Sequence, residues 1–265
     1  MDNYSILNQA LEFLPHLITV LISTTALCLL FASRIEFFHS YNYQAVQKIH
    51  EAQVSRLGGL GIFSTFFVCA YFLDNAILIN ISLCSIPMFA VALIEDLRHN
   101  VKPSIRMIAI FISALFFIIP LYQNSAMPQI EVAIIDTYLN NSLLLALILS
   151  ISISGVVNGV NMIDGANGLS GFAISTILIA ISFIAFTQGD LEVLIASLVL
   201  LFGVVGFLFI NYPWGKVFLG DAGAYFLGFT VSTLAIYLFA RNDELPSWGA
   251  ILILFYPVTE VIFSF

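Results

Sequence analysis

Four carboxylates stand out by position. Glu95, Asp96, Asp164 and Asp221 each fall at the edge of a long apolar run, in a chain that is 60% hydrophobic. A carboxylate at the end of a membrane span is expensive unless it is paired. Several converging carboxylates suit a hard divalent cation. Mg2+ takes one or two of them, keeps water, and completes its shell with phosphate oxygens. Basic residues accompany the acids: Lys48, Arg56, Arg98, Lys102, Arg106 and Lys216. Arginine binds phosphate bidentately and lysine binds it as a point charge. Acids, cations and glycines together point to phosphoryl chemistry on a diphosphate. Asp221 has no cation nearer in sequence than Lys216, so a metal is expected as its counter-charge.

The densest cluster is Asn158 to Gly168, where Asn158, Asn161 and Asp164 recur at every third residue. On a helix they sweep one side, and the glycines are expected to let the backbone turn and approach a ligand closely. The structural alternative is a polar cap and turn between two membrane helices. Three further clusters are His50 to Gly61, Glu95 to Arg106, and Asn211 to Gly223 with Phe218-Leu219-Gly220-Asp221. Plainer readings stand beside these. Arg98, Lys102 and Arg106 also have the spacing of topogenic surface charges. His39 and His50 read as surface residues. Gly58, Gly59 and Gly61 suit close helix packing, and they form no P-loop because no Gly-Lys-Ser/Thr follows.

These residues need elements to hold them. Only 9% of residues are charged and the mean hydropathy is +1.03, which defines an all-α polytopic membrane protein. A net charge of −8 argues against nucleic-acid binding. Cys28, Cys69 and Cys84 lie in apolar runs without metal-ligand spacing and are expected to be buried. The first apolar run is long and has no Lys or Arg before it, so it reads as a retained span. Nine spans are predicted, at 13–33, 58–73, 76–94, 105–122, 141–157, 169–187, 192–210, 222–240 and 249–265, in one membrane domain covering 1–265. Seven of the eight Lys and Arg then fall on one side and only Arg241 on the other. The positive-inside rule makes the first side cytoplasmic and the N-terminus external. All four polar clusters lie on the cytoplasmic side, as one composite site facing the cytosol.

At these residues the chain resembles the polyprenyl-phosphate N-acetylhexosamine-1-phosphate transferases. Arg56-Leu57-Gly58-Gly59 is similar to the family's Pro-Arg-x-Gly-Gly, and Glu95-Asp96-Leu97-Arg98 through Arg106 to its Asp-Asp loop. Asn158 to Gly168 resembles its Asn-x-x-Asn-x-x-Asp-Gly-x-Asp/Asn-Gly signature, and Asn211 with Phe218-Leu219-Gly220-Asp221 its Asn…Phe-x-Gly-Asp-x-Gly loop. The match runs from about Gln47 to Phe265 and is closer to the O-antigen initiating branch than to the peptidoglycan translocase. The resemblance implies a multi-pass enzyme of the inner membrane that starts a cell-envelope polysaccharide. It would pass a sugar-1-phosphate from a UDP-N-acetylhexosamine to polyprenyl (undecaprenyl) phosphate, release UMP, and need Mg2+ or Mn2+. It implies Asp221 and Asp164 as metal ligands, with Asp164 also catalytic. Asp96 and Glu95 would orient or deprotonate the acceptor phosphate. Asn158, Asn161, Asn167 and Asn211 would read the nucleotide sugar. Lys48, Arg56, Arg98, Lys102, Arg106 and Phe218 complete the implied substrate-binding set.

Three departures accompany the resemblance. Ser55 stands where the family commonly has Pro, and Glu95 where the longest-studied branches have Asp. The family's further cytoplasmic His- and Arg-containing loop follows the ninth span, and Tyr256-Pro257-Val258-Thr259-Glu260 resembles its lead-in before the sequence reaches Phe265. A chain lacking that loop is expected to be catalytically impaired. An impaired relative is therefore one alternative to an active transferase, and a membrane transporter is another. A transporter should carry polar residues at mid-span and on both sides, whereas here they crowd at one.

Overall fold

The structure, a computed structural model, describes residues 3–33, 54–124, 142–242 and 244–264. Its described elements are eleven helices. They are α1 (Asn3–Glu12), α2 (Leu14–Ser33), α3 (Gly58–Leu73), α4 (Ala76–Arg98), α5 (Pro103–Asn124) and α6 (Ser142–Ile163), followed by α7 (Leu169–Gln188), α8 (Leu191–Asn211), α9 (Gly220–Arg241), α10 (Gly249–Ile253) and α11 (Phe255–Phe263). Each of the first eight predicted spans corresponds to one helix, α2 through α9. Among the described residues six helices are long and apolar enough to cross a membrane: α2, α4, α6, α7, α8 and α9. The helix α3 and the Pro103–Ile119 stretch of α5 are shorter apolar segments. The protein is therefore an all-α polytopic membrane protein. Arg34, His39, Lys48 and His50 lie outside the described residues.

Two prolines account for the departures from the predicted segments. The ninth predicted span is broken at Leu254 into α10 and α11. Pro257 has no N–H to give the Ile253 carbonyl, so the helix ladder fails within the turn before it. Pro15 acts in the same way on the Leu11 carbonyl, and the chain breaks at Phe13 between α1 and α2. The helix α1 was not among the predicted segments, because its polar residues Asn3, Ser5, Asn8 and Gln9 interrupt the apolar run.

The core is built around α9, nearly all of whose side chains are buried. It packs mainly against α6, α4 and α3. Small residues allow the approach. A Cβ on Gly228 would lie 2.7 Å from the Cα of Val157 in α6, and one on Gly59 would run into Gly223 across the α3–α9 contact. Aromatic rings fill the adjoining layer. Phe63 stacks on Phe89 at 3.8 Å between centroids, and Phe226 sets its edge against Phe63 and Phe66. Buried hydroxyls pair between helices, Thr24 with Thr65 at 2.7 Å and Ser182 with Ser197 at 2.8 Å, as apolar surroundings require. Cys28, Cys69 and Cys84 are buried and free, as expected from the sequence.

The helices alternate in direction, which sorts their ends into two groups. One end gathers the starts of α3, α5, α7 and α9 with the ends of α4, α6 and α8. The other is tied by Arg241, whose Nε lies 3.3 Å from Asp190 and whose Nη1 pairs with Glu192. Asn75 adds a bond from its Nδ2 to the Glu192 carbonyl at 3.1 Å.

Candidate functional site

The first end carries the polar clusters, and backbone bonds stitch two of them together before any side chain acts. The Phe218 N–H donates to the Ser55 carbonyl at 2.8 Å. The Gly58 and Gly59 N–H groups donate to the Phe218 and Leu219 carbonyls, both at 2.9 Å. Those N–H groups belong to the first turn of α3, where a helix has no internal acceptor. The loop before α9 thus caps α3, and the α9 N-terminus comes to rest beside Arg56.

That N-terminus is in turn held by Asp96. Its two carboxylate oxygens accept from the Asp221 N–H at 2.9 Å and the Ala222 N–H at 2.8 Å. The Asp96 side chain is fully buried, with Arg56 Nε 3.7 Å away. A carboxylate at a helix N-terminus satisfies free N–H groups and complements the helix dipole. Gly220 makes the fit possible. It has φ +77°, and a Cβ there would meet the Arg56 carbonyl and lie 2.7 Å from Asp96 Oδ2.

The Asp221 side chain is the meeting point of four elements. Arg106 Nη1, from α5, donates to Oδ2 at 2.6 Å. Arg56 Nη2 approaches Oδ1 at 3.4 Å, and Asn161 Nδ2, from α6, donates to the same oxygen at 3.3 Å. The sequence offered no cation close to Asp221, whereas the structure sets two against it. Both are guanidinium groups, from positions 165 and 115 residues away in sequence. Sequence distance hid them.

Asp164 sits just beyond the end of α6, half-buried, with Oδ1 accepting from the Ser170 hydroxyl at 2.6 Å. Burial pushes its carboxyl up to about 7, against the pull of the Ser170 hydrogen bond and of Arg56, with Asp221 and Asp96 adding to the rise. Arg56, Asp96, Asp164 and Asp221 thus form one interacting charge cluster. A desolvated carboxylate of this kind is held ionised by a nearby cation. Among the described residues no three His, Cys, Asp or Glu side chains form a metal site by themselves. Mg2+ does not require three, since phosphate oxygens and water complete its shell. The hard-oxygen pair Asp164 and Asp221 fits that chemistry.

The remaining residues divide. Glu95 is half-buried, and its Oε2 accepts from the Val101 N–H at 2.8 Å, which closes the α4–α5 turn. Arg98 and Lys102 are exposed on that turn. Phe218 is half-buried in the strap that caps α3. Asn158 donates to the Ser154 carbonyl at 2.7 Å and lies 3.3 Å from Met107 Sδ. Asn167 donates to the Pro213 carbonyl at 3.3 Å. Asn211 is buried with both ends in use: Oδ1 accepts from the Gly168 N–H at 2.6 Å, and Nδ2 donates to the Val217 carbonyl at 2.8 Å. It clamps the 164–168 turn to the 212–217 loop. Of the glycines in this stretch, Gly159 and Gly168 approach protein, whereas a Cβ on Gly165 would meet only the Met162 carbonyl, at 4.0 Å. A Cβ on Gly159 would strike the Pro257 backbone in α11, and one on Gly168, at φ +81°, would meet the Tyr212 ring at 2.7 Å. Ser170 was missed by the sequence reading. Its place six residues after Asp164, in the first turn of the next helix, was the available signal.

Fold and site together define a polytopic helical membrane protein with an Asp- and Arg-lined site at one end of the bundle. The chain belongs to glycosyl transferase family 4, whose model matches residues 78–239. It is 29% identical over 242 residues to an undecaprenyl-phosphate alpha-N-acetylglucosaminyl 1-phosphate transferase of Thermotoga maritima, covering 91% of this chain and 69% of that protein. It is 34% identical over 113 residues to a probable undecaprenyl-phosphate N-acetylglucosaminyl 1-phosphate transferase of Bacillus subtilis, covering 42% of this chain and 32% of that one. A phospho-N-acetylmuramoyl-pentapeptide-transferase of Streptococcus pneumoniae is 34% identical over 84 residues, covering 32% of this chain and 26% of its own length.

Proposed function

We propose that this chain transfers an N-acetylhexosamine-1-phosphate from a UDP-sugar to undecaprenyl phosphate and releases UMP, at the start of a cell-envelope polysaccharide. The observation that carries this reading is the meeting of Asp221 with Arg56, Arg106 and Asn161 at the end of a membrane bundle. Family membership and the names of the relatives agree with it. An oxygen of the lipid phosphate forms a bond to the sugar-bearing phosphorus, and the bridging P–O bond to UMP breaks. At neutral pH such a phosphate monoester is already mostly dianionic, so holding two anions together matters more than deprotonation. Arg56 and Arg106 would take on that task.

Asp164 and Asp221 are the residues that would hold Mg2+ or Mn2+. When bound, the ion would neutralise charge on the transferring phosphoryl group. Asp96 fixes the backbone that carries Asp221, and this leaves Glu95 as the carboxylate on the acceptor side. Asn158, Asn161 and Asn167 line the nucleotide-sugar side, with Lys48, Arg98 and Lys102 as further cations. Orientation belongs to the same reading: nine spans, an external N-terminus, and the site facing the cytoplasm across the inner membrane. A transport path has less to recommend it, because the interior pairs Thr24–Thr65 and Ser182–Ser197 satisfy each other.

The test is incorporation of label from UDP-N-acetyl[14C]glucosamine into undecaprenyl lipid by membranes containing the protein, with UMP measured in parallel. Asp221→Asn should lower both by more than about 10²-fold, as loss of a charge-stabilising group at a phosphoryl-transfer site does. Equal labelling by wild type and variant would remove Asp221 from the reaction.

A further inference from the structure

The arrangement around Asp221 raises a question of charge. Both of its oxygens are taken, Oδ2 by Arg106 at 2.6 Å and Oδ1 by Arg56 at 3.4 Å together with Asn161 at 3.3 Å. A divalent cation at this carboxylate would meet two guanidinium groups of like charge, and such repulsion is large where solvent is scarce. We propose that Arg56 and Arg106 are phosphate-binding cations held on Asp221 until a divalent cation displaces them. On this assignment, which rests on the transferase reading, metal and phosphate bind cooperatively through an exchange of partners.

Three observations carry it. The carboxylate is anchored through its own backbone. Asp96 holds the Asp221 and Ala222 N–H groups at 2.9 and 2.8 Å, so releasing the arginines leaves the α9 N-terminus in place. Arg106 leaves part of its fork unused. Arg106 engages Asp221 through Nη1 alone, and its Nε is buried without a hydrogen-bond partner. That atom and a neighbouring Nη form the edge that grips a phosphate bidentately. Arg56 keeps 38% of its side chain exposed, and both of its ion pairs are long, 3.4 Å to Asp221 and 3.7 Å to Asp96, so each holds it weakly.

The consequence is a pair of effects of opposite sign. In the purified protein in nanodiscs, Mn2+ alone is titrated by electron paramagnetic resonance, and UMP in the presence of EDTA is titrated by calorimetry. Arg106→Gln should tighten Mn2+ binding by at least about fivefold, the lower end of ordinary site coupling, and weaken UMP binding. Asp221→Asn should lose Mn2+ binding at this site yet tighten UMP binding in EDTA by a similar factor, because Arg106 is released and Arg56 keeps only its long pair with Asp96. Arg106→Lys keeps the charge and should leave Mn2+ affinity near wild type while weakening UMP.

An arginine that merely supports the fold would lower both affinities together. Unchanged or weaker Mn2+ binding in Arg106→Gln overturns the exchange. So does UMP affinity in Asp221→Asn that does not rise. Neither titration needs the lipid acceptor, so the two readings separate. If the wild type makes no labelled lipid but both affinities shift as stated, the transferase reading fails and the exchange stands. If labelled lipid forms and the affinities do not shift, the reverse holds.

Discussion

Asp96 and Asn211 direct their polar atoms at backbone, and that sets how each can be tested. Asn211 satisfies the Gly168 N–H and the Val217 carbonyl at once. Asn211→Ala should therefore leave two buried backbone groups unpaired, at about 1–3 kcal/mol each, and lower the thermal midpoint in detergent. An unshifted midpoint would mean that water replaces the amide. Residue types were legible in the sequence at this scale, but their duties were not. An Asn in a polar cluster looks the same whether it reads a sugar or clamps a turn. Only the 43-residue reach from Asn211 to Gly168 decides between them. The ion pairs of Asp221 were hidden for a related reason, since Arg56 and Arg106 come from remote segments.

At the scale of elements, α9 is the organiser, although the densest motif lies at the end of α6. Hydropathy placed both helices but could not rank them, because a helix apolar on every face reads the same whether lipid or protein surrounds it. Burial reveals the ranking, since α9 is enclosed almost throughout while α6 keeps one side open, and the α6 glycines mark where that side closes. A Cβ on Gly155 would meet nothing within 4 Å, whereas one on Gly159, four residues on along the same helix, would run into the Pro257 backbone. Gly155→Ala should thus be neutral or mildly stabilising, given alanine's better helix propensity. Gly159→Ala should force α11 away from α6 and cost about 1–3 kcal/mol, the range for overpacked sites. Thermal melts of the two variants side by side check this, and equal midpoints would show that α11 moves freely on α6. Breaks at Pro15 and Pro257 belong to this scale as well. Each proline is plain in the sequence, but whether it kinks or splits a helix depends on packing around the lost hydrogen bond.

The whole molecule separates its charges by end. Arg56, Arg98, Lys102, Arg106 and Lys216 lie at the site end, and Arg241 is the single Lys or Arg at the other among the described residues. Arg241 is answered there by Asp190 and Glu192. That asymmetry was readable in the sequence, because topogenic charge depends on alternation along the chain and not on contacts. It carries the proposed orientation, since basic segments stay on the cytoplasmic side.

Removing the three native cysteines, all buried, clears the background for single exposed probes. Asn100→Cys sits in the turn between α4 and α5, Trp214→Cys in the loop before α9, and Glu244→Cys beyond the end of α9. In intact cells an impermeant maleimide should label position 244 and spare 100 and 214. In inverted vesicles the pattern should reverse. Labelling of 100 and 214 from outside with 244 protected would turn the bundle over, placing the Asp221 site away from cytosolic nucleotide sugars. Labelling of 100 and 244 from the same side would contradict the antiparallel run of helices itself. These two failures differ in what they remove. The first withdraws the cytosolic donor and leaves the fold, while the second reaches the packing of α9 against α4, on which the Asp96–Asp221 geometry depends.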